Sequence, residues 1–582
     1  MSGVRKRPPR HPPGGAPYRI FQWLPCGSRP GVPSRIPRSI PFPRQGYRWG
    51  RSGSGAMSPQ RSPTLNTNSG KARGKLGRGT SLQPAHPGIT EPGGRCVRFP
   101  SHRGKGKMAP RQVRVMSSDI LERFKPLFQP ESIAVIGATD NPFKLGYHAM
   151  AAACSPSFRG QVYPVNPNAG PTVQGRRAFR SISELPYGVD LFVYAVPELQ
   201  VLPAVKESVE RGGKAGVIFA GGFRESGPEG RRLQEELVRV ADSGGMKLIG
   251  PNCIGVVNTK SGLNATFASP MSWFPAGDVS VVSQSGGMGN CILNELMDER
   301  VGLSKFVSIG NRANVEFADM VEYLAHDPDT AVICLFIEGL DRGDEFLRKA
   351  REASRRKPVI VYSRGHTESS ARAALSHTGS MSSSEAVYRG AFAQAGLLQV
   401  ESASEMACLA KAFSMGGVPG GDGVFISTHT AGPVITMTDI CERGGVRIPS
   451  LRQDIAAAIG EFIPRHAKAA NPLDLFAFAW TDTSLYLRAT DLALGQEDIH
   501  CAVAVFASGA GAGPVFPARE YGEIGRRHGK PVFLCLIAPA LLSQELEDAQ
   551  RAGVVTYNSP EKTGQVLVNL SRFLRTRDAR RA

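Results

Sequence analysis

The chain has no CxxC pair: its ten cysteines are scattered over 582 residues. That scatter excludes a zinc-ribbon or dithiol site and fits a reducing compartment, where thiols stay free. No apolar run reaches the ~20 residues that span a bilayer, so no membrane partner is expected and the body reads as a cytoplasmic protein. Acidic residues are nearly missing from one region. Residues 1–115 hold 23 Lys+Arg and a single acid, Glu91, a net +22. The other 467 residues hold 47 basic and 49 acidic side chains, so the overall +20 belongs to the head alone. Nucleic-acid binding is therefore not implied for the body. The head also lacks hydrophobic periodicity and is rich in Pro, Gly, Ser and Arg, so it cannot bury a core and is expected to be disordered. It has no apolar h-region and is not a secretory signal. Its Arg and Ser content would suit a transit peptide, but no amphipathic helix supports one. An over-extended start, with initiation at Met108 or Met116, is the favoured explanation.

From Glu131 onward, strand and helix patterns alternate. SIAVIG, VYPVNP, LFVYAVP, GVIFAGG and KLIGPN read as buried parallel strands, with helices over Leu199–Arg211 and Pro228–Ser243. This is the pattern of a doubly wound, Rossmann-like domain, whose ligands sit at the carboxyl ends of the strands. The first of those ends, at Gly137, is not GxGxxG. A dinucleotide thus has no fingerprint here, and another phosphate-bearing adenine ligand stands beside it.

A second α/β unit begins near Ala276. In VSVVSQSGGMGN a strand meets a small-residue loop and a helix start, so Ser283, Ser285, Gly286 and Gly287 would offer N–H groups and hydroxyls to a phosphate. An ordinary βα turn is the plain alternative. Glu338 ends the apolar strand AVICLFIEG, either solvated there or serving a site. PVIVYS then runs into RGHTESSARAALSHTGSMSSS, Arg364–Ser384, a loop with few apolar anchors that is expected to move. It carries His377, which on local sequence alone is a surface histidine. After a linker at Ser414–Gly423, VFISTHTAG opens a third α/β unit with another strand-loop-helix junction.

GATDNP…KLG, NPN, GGF-E, GPNCIGVVN, VSQSGGMG, SIGNRANV, FIEGL, SHTGS and NPLDL occur in that order. Over roughly residues 118–575 the chain resembles the α subunit of nucleoside-diphosphate-forming acyl-CoA synthetases. The ADP-forming acetyl-CoA synthetases are the nearer members and succinyl-CoA synthetase the more distant.

The resemblance implies an α/β chain in four parts. These are a disordered basic extension (1–115), a Rossmann-like CoA-binding domain (116–272), a flavodoxin-like ligase domain with a phosphohistidine loop (273–416) and a second flavodoxin-like domain (417–582). The implied reaction joins an acid and CoA at the expense of ATP, giving acyl-CoA, ADP and phosphate, reversibly, through an acyl phosphate and a phosphohistidine. By resemblance His377 is the phosphoryl carrier, and Glu338 fixes its tautomer and balances its charge. Ser283, Gln284, Ser285, Gly286 and Gly287 form the phosphate seat. Thr428 and Gly432 border a second helix end facing the same phosphate. Gly137, Ala138, Thr139 and Asp140 would meet the CoA phosphates, and Asn166, Pro167, Phe219, Ala220 and Gly221 would line the rest. Asn290 is the candidate for lining the acyl pocket.

Two departures stand out. Asn168 and Ala169 occupy the place of a lysine in many relatives, so Lys144 or Arg176 would have to supply that charge. The loop THTAG is less glycine-rich than its counterparts. No ATP-grasp region is visible, so ATP/ADP with Mg²⁺ is expected on a separate ATP-grasp β subunit, in an α2β2-type assembly acting on a small carboxylic acid. The competing expectations are a non-catalytic CoA-binding regulator and an NAD-dependent oxidoreductase.

Overall fold

The computed structural model describes residues 110–367, 369, 384–508, 514–538 and 543–579. Of the basic extension expected over 1–115, only the last six residues fall in this range, and they open a helix, α1 (Pro110–Phe128). No helix of the described residues is long and apolar enough to cross a membrane.

The first sheet is built as the sequence pattern predicts. Strands β1 (Ser132–Ile136), β2 (Gln161–Val165), β5 (Leu191–Tyr194), β6 (Ala215–Ile218) and β7 (Lys247–Ile249) lie parallel in the order β2-β1-β5-β6-β7. Their near-continuous apolar runs suit strands covered by helices on both faces. The helices fall at Glu198–Glu210 and Pro228–Ser243, within a residue of the expected bounds. A short ribbon, β3 (Thr172–Val173) with β4 (Arg176–Arg177), turns through Gln174 and Gly175, both at positive φ.

The second sheet has seven strands: β8 (Gly255–Asn258), β9 (Leu263–Thr266), β10 (Ala276–Ser283), β11 (Leu303–Ser308), β12 (Val332–Ile337), β13 (Val359–Ser363) and β14 (Leu398–Val400). Their order is β14-β13-β12-β10-β11-β8-β9. The last five strands in sequence are parallel, but β8 and β9 form an antiparallel hairpin on the β11 edge. The GVVN segment, expected within the first domain at 116–272, thus adds a strand to the second sheet. β8 opens on Gly255 at φ +120°, where a Cβ would lie 2.1 Å from Ala265 O of the facing strand β9.

The hairpin and α1 knit the two sheets together. Phe128 stacks on Tyr323 with ring centroids 4.6 Å apart, and Phe124 meets the same ring edge-on at 5.7 Å. Asn258 Nδ2 and Ser261 Oγ donate to Phe128 O, a free carbonyl at the helix end, at 2.9 and 3.0 Å. One continuous apolar core runs from Ile120 and Ile133 of the first part to Phe317 and Leu335 of the second.

The third sheet is parallel, in the order β16-β15-β17-β18-β19: β15 (Val424–Thr428), β16 (Leu473–Asp474), β17 (Cys501–Ala507), β18 (Val532–Ile537) and β19 (Val555–Tyr557). A second core spans Val281 and Phe306 of the second sheet and Ile426 and Val503 of the third. The expected linker is packed against this body: a Cβ on Gly417 would lie 2.8 Å from Val555 and 3.6 Å from Phe533.

Candidate functional site

The carboxyl ends of the first sheet open into a cleft of about 850 Å³. Seven of the nine residues expected to meet CoA line it: Gly137, Thr139, Asn166, Pro167, Phe219, Ala220 and Gly221. The other two do not. Ala138 is buried beneath the loop, where its carbonyl accepts from Asn166 Nδ2 at 2.8 Å. Asp140 accepts from Gln174 N at 2.8 Å and so fastens the loop to the β3–β4 ribbon. Lys144 lines the cleft and Arg176 does not. Glu198, also in the lining, had no signal beyond its place after a strand end.

The loop is drawn tight by its glycines. Gly137 sits at φ +88° with a Cβ position 2.5 Å from Ala195 O, and a Cβ on Gly146 would lie 1.9 Å from Gly137 O. The backbone therefore presses directly onto the first turn of the helix Leu145–Ala153, whose N-terminal residue Lys144 has no side-chain cap. Helix-start N–H groups without a cap attract anions.

At the carboxyl end of the second sheet, register aligns the expected phosphate site. Ser283 of β10 pairs with Ser308 of β11 and Phe336 of β12, and Ile337 of β12 pairs with Ser363 of β13. Four strand ends therefore stand in a row. Glu338 follows one of them, and the loop that bears His377 departs from the next. His377 itself lies outside the described residues. Beside its loop, Ser363 Oγ donates to Ile337 O at 3.0 Å and meets His366 Nε2 at 2.9 Å.

Ser283 is fully buried and donates to Ser285 O at 2.6 Å. Ser285 caps the helix Gly286–Asp298 by accepting from Met288 N at 3.4 Å, and a Cβ on Gly287 would find nothing nearer than Ser285 Oγ at 4.0 Å. A Cβ on Gly286 would press on the Ile254 side chain at 2.8 Å, which would have to shift to admit it. Gln284, buried beneath, accepts from Glu338 N and Gly339 N at 3.0 and 3.1 Å through Oε1. Its Nε2 is buried with no hydrogen-bond partner among the described residues. Asn290, expected at an acyl pocket, is exposed on the same helix.

In the third unit, Thr428 Oγ1 accepts from Thr430 N at 2.9 Å and donates to Thr430 O at 2.7 Å. This turn starts the helix Ala431–Arg443, and a Cβ on Gly432 would meet nothing within 4 Å. The hydrogen bonds of His429 fix its tautomer. Tyr486 Oη donates its single proton to Val505 O at 2.8 Å, so at 3.0 Å it can only accept from His429 Nδ1–H. Burial lowers the His429 pKa, with Asp474 opposing.

Two family models match the chain: "CoA binding domain" over residues 131–259 and "Succinyl-CoA ligase like flavodoxin domain" over residues 276–413. The α subunit of acetate–CoA ligase (ADP-forming) II of Pyrococcus furiosus is 38% identical over 440 residues, covering 75% of this chain and 94% of that protein. The α subunit of isoform I from the same organism is 34% identical, covering 77% and 97%. Among solved structures, acetyl-coenzyme A synthetase 1 of Ca. Korarchaeum cryptofilum, in complex with phosphate and ADP, superposes with a TM-score of 0.72 at 32% identity, covering 78% of this chain and 97% of that one.

Proposed function

The chain belongs to the family of ADP-forming acetate–CoA ligase α subunits, and we propose on that premise that it binds CoA and relays a phosphoryl group in an acyl-CoA synthetase. The domains proposed for this work are CoA binding at 116–272, phosphohistidine chemistry at 273–416 and phosphate capture at 417–582. CoA lies in the first cleft with its phosphates toward Lys144 and the helix start at Leu145. The glycine-tight loop and the cleft's size suit such a ligand. The observation that carries the reading is the row of strand ends that puts the Ser285–Gly287 helix start, Glu338 and the root of the His377 loop side by side.

In the acid-releasing direction, a phosphate oxygen attacks the thioester carbon, the C–S bond breaks and CoA leaves as thiolate. A neutral nitrogen of His377 then attacks phosphorus, and the carboxylate leaves with the bridging electron pair. Glu338 accepts the N–H of the other ring nitrogen and balances the charge of the phosphorylated ring. The helix starts at Gly286 and Ala431, with Gln284 Nε2, stabilise the phosphoryl oxygens. ADP, bound with Mg²⁺ on an ATP-grasp partner, accepts the group from His377. The acid is a small carboxylate.

The test is phosphorylation of the full chain, mixed with its ATP-grasp partner, by labelled ATP and Mg²⁺. The expected label is acid-labile and base-stable, and absent from His377→Ala. Acid-labile label on His377→Ala, or acyl-CoA formed with no phosphoenzyme, would overturn the reading.

A further inference from the structure

Between the CoA cleft and the row of strand ends lies a polar seam that neither half of the proposed chemistry uses. Gly222 N and Phe223 N, just past cleft residue Gly221, donate to Glu225 Oε1 at 2.7 and 3.3 Å. Glu225 Oε2 accepts from Asn311 Nδ2 at 2.5 Å across the domain boundary, and Asn311 Nδ2 also reaches Gln234 Oε1 at 3.2 Å. The next residue, Arg312, has a fully buried side chain that donates to Gly339 O and, at 3.0 Å, to Asp341. Arg224 closes the circuit from the first domain, 2.6 Å from the same Asp341 oxygen. Gly339 N is held by Gln284, which also holds Glu338 N. An unbroken run of bonds therefore leads from the cleft rim to the Glu338 backbone and the phosphate loop.

The seam does not look like an accident of packing. Burying an arginine and a carboxamide is costly, and in some proteins buried polar groups of this kind fix register rather than add stability. The seam also flanks an open cleft of about 700 Å³, with Gln234 and Arg239 on one wall and Arg312 and Arg342 on the other. Side-chain packing does not fill that gap, and the polar ties cross its edge beside the apolar core that joins the two parts. Asn311 is itself held, its N–H donating to Pro251 O at 2.9 Å, and a Cβ on Gly310 would lie 2.3 Å from that oxygen.

We propose that Glu225 and Asn311 are positioning residues that hold the CoA cleft in register with Glu338 and the phosphate loop, so that the thioester carbon meets bound phosphate. The proposal rests on the functional reading above. It concerns only the half-reaction that involves CoA, since phosphoryl exchange with ATP never touches the cleft. A shift of the cleft by an ångström costs attack geometry on the order of 10²-fold in rate.

The experiment follows both half-reactions with the full chain and its ATP-grasp partner. Phosphoenzyme is formed either from acetyl-CoA plus inorganic phosphate or from ATP. Glu225→Gln places a donor opposite the Asn311 donor. It is expected to slow the acetyl-CoA route about 10–100-fold and leave the ATP route within about twofold. The double variant Glu225→Gln with Asn311→Asp reverses the polarity of that bond, and the Gln234 amide, whose Oε1 accepts from Asn311 and at 3.4 Å from Arg224 N, must turn to donate to the new carboxylate. It is expected to restore part of the lost rate, which plain loss of folding would not allow. Equal losses in both routes, no loss in either, or no rescue by the double variant would overturn the proposal. A wild-type chain that takes phosphate by neither route overturns the functional reading instead.

Discussion

Lys411 Nζ stands 2.9 Å from Glu299 Oε2, and both side chains are almost wholly shielded from water. Lys562 Nζ approaches the other carboxylate oxygen at 2.6 Å, and Lys411 also donates to Thr556 O. Glu299 terminates the helix that begins at the phosphate loop, so this triad anchors that helix to the third unit. A buried pair contributes little over an apolar replacement, but breaking one side leaves a charge stranded. Glu299→Gln is therefore expected to destabilise the chain by about 3–5 kcal/mol, read from denaturant midpoints. A loss below 1 kcal/mol would mean that water reaches the triad.

The same carboxylate gives a pH dependence. Burial raises the Glu299 pKa, but Lys411 and Lys562 together outweigh it, and the net shift is downward from 4.5. A depressed carboxylate adds stability that is complete above the unfolded value and disappears as pH falls through the lower folded value. The difference in midpoint between wild type and Glu299→Gln should be flat from about pH 5 to neutrality and shrink in more acidic solution. A difference that grows on acidification would reverse the sign and refute the argument.

Residues before Met116 should be dispensable and the rest of α1 should not be. Ile120, Phe124, Leu127 and Phe128 are all buried, and each large side chain buried contributes about 1.5–3 kcal/mol. A chain beginning at Met116 is expected to keep its melting temperature and its phosphorylation. One beginning at Gln129 is expected to aggregate or melt well below it. Equal melting of the two would show that the Tyr323 contacts are idle.

Gly146→Ala should strike CoA binding with little effect on the other units. The added methyl would lie 1.9 Å from Gly137 O, so the loop must lift away from the helix start. Calorimetry on the isolated chain should show CoA affinity reduced at least about tenfold, the cost of one or two lost phosphate contacts. Unchanged affinity would place the CoA phosphates elsewhere.

Glu338→Gln keeps the shape of the side chain but weakens the acceptor proposed for the carrier imidazole. Phosphorylation from ATP should slow by about 10²–10⁴ with an unchanged far-ultraviolet spectrum. His429→Ala is the control: its ring is committed to Tyr486, so labelling should persist. A lost label in His429→Ala would make that ring part of the relay.

Much of this was legible in the sequence because strand ends announce themselves. Gly137, Asn166 and Ser283 each follow an apolar run with small or turn-forming residues, and in a parallel sheet such positions cluster at one edge. The pattern could not say which sheet takes GVVN, since Val256 and Val257 would suit either, and the pairing with β11 joins residues about 50 positions apart. Nor could it separate Asp140, which fastens a ribbon, from neighbours that line the cleft. Helix α1 was hidden by composition: its apolar positions lie at helical spacing but follow a proline-rich basic stretch. The Glu225–Asn311 bond spans 86 positions, and no local pattern encodes such a meeting. The role expected of His377 rests on resemblance, because its loop lies outside the described residues.

The way α1 and the β8–β9 hairpin lock onto the second sheet bears on how such proteins can be reshuffled. A gene rearrangement that carried off only the five strands of the first sheet would sever Phe124 and Phe128 from Tyr323 and leave the Phe128 carbonyl without Asn258. The transferable cassette must therefore begin with α1 and run on past the hairpin into its neighbour. Recombination breakpoints between these two units should be rare, and fusions to other catalytic modules should occur beyond their outer ends.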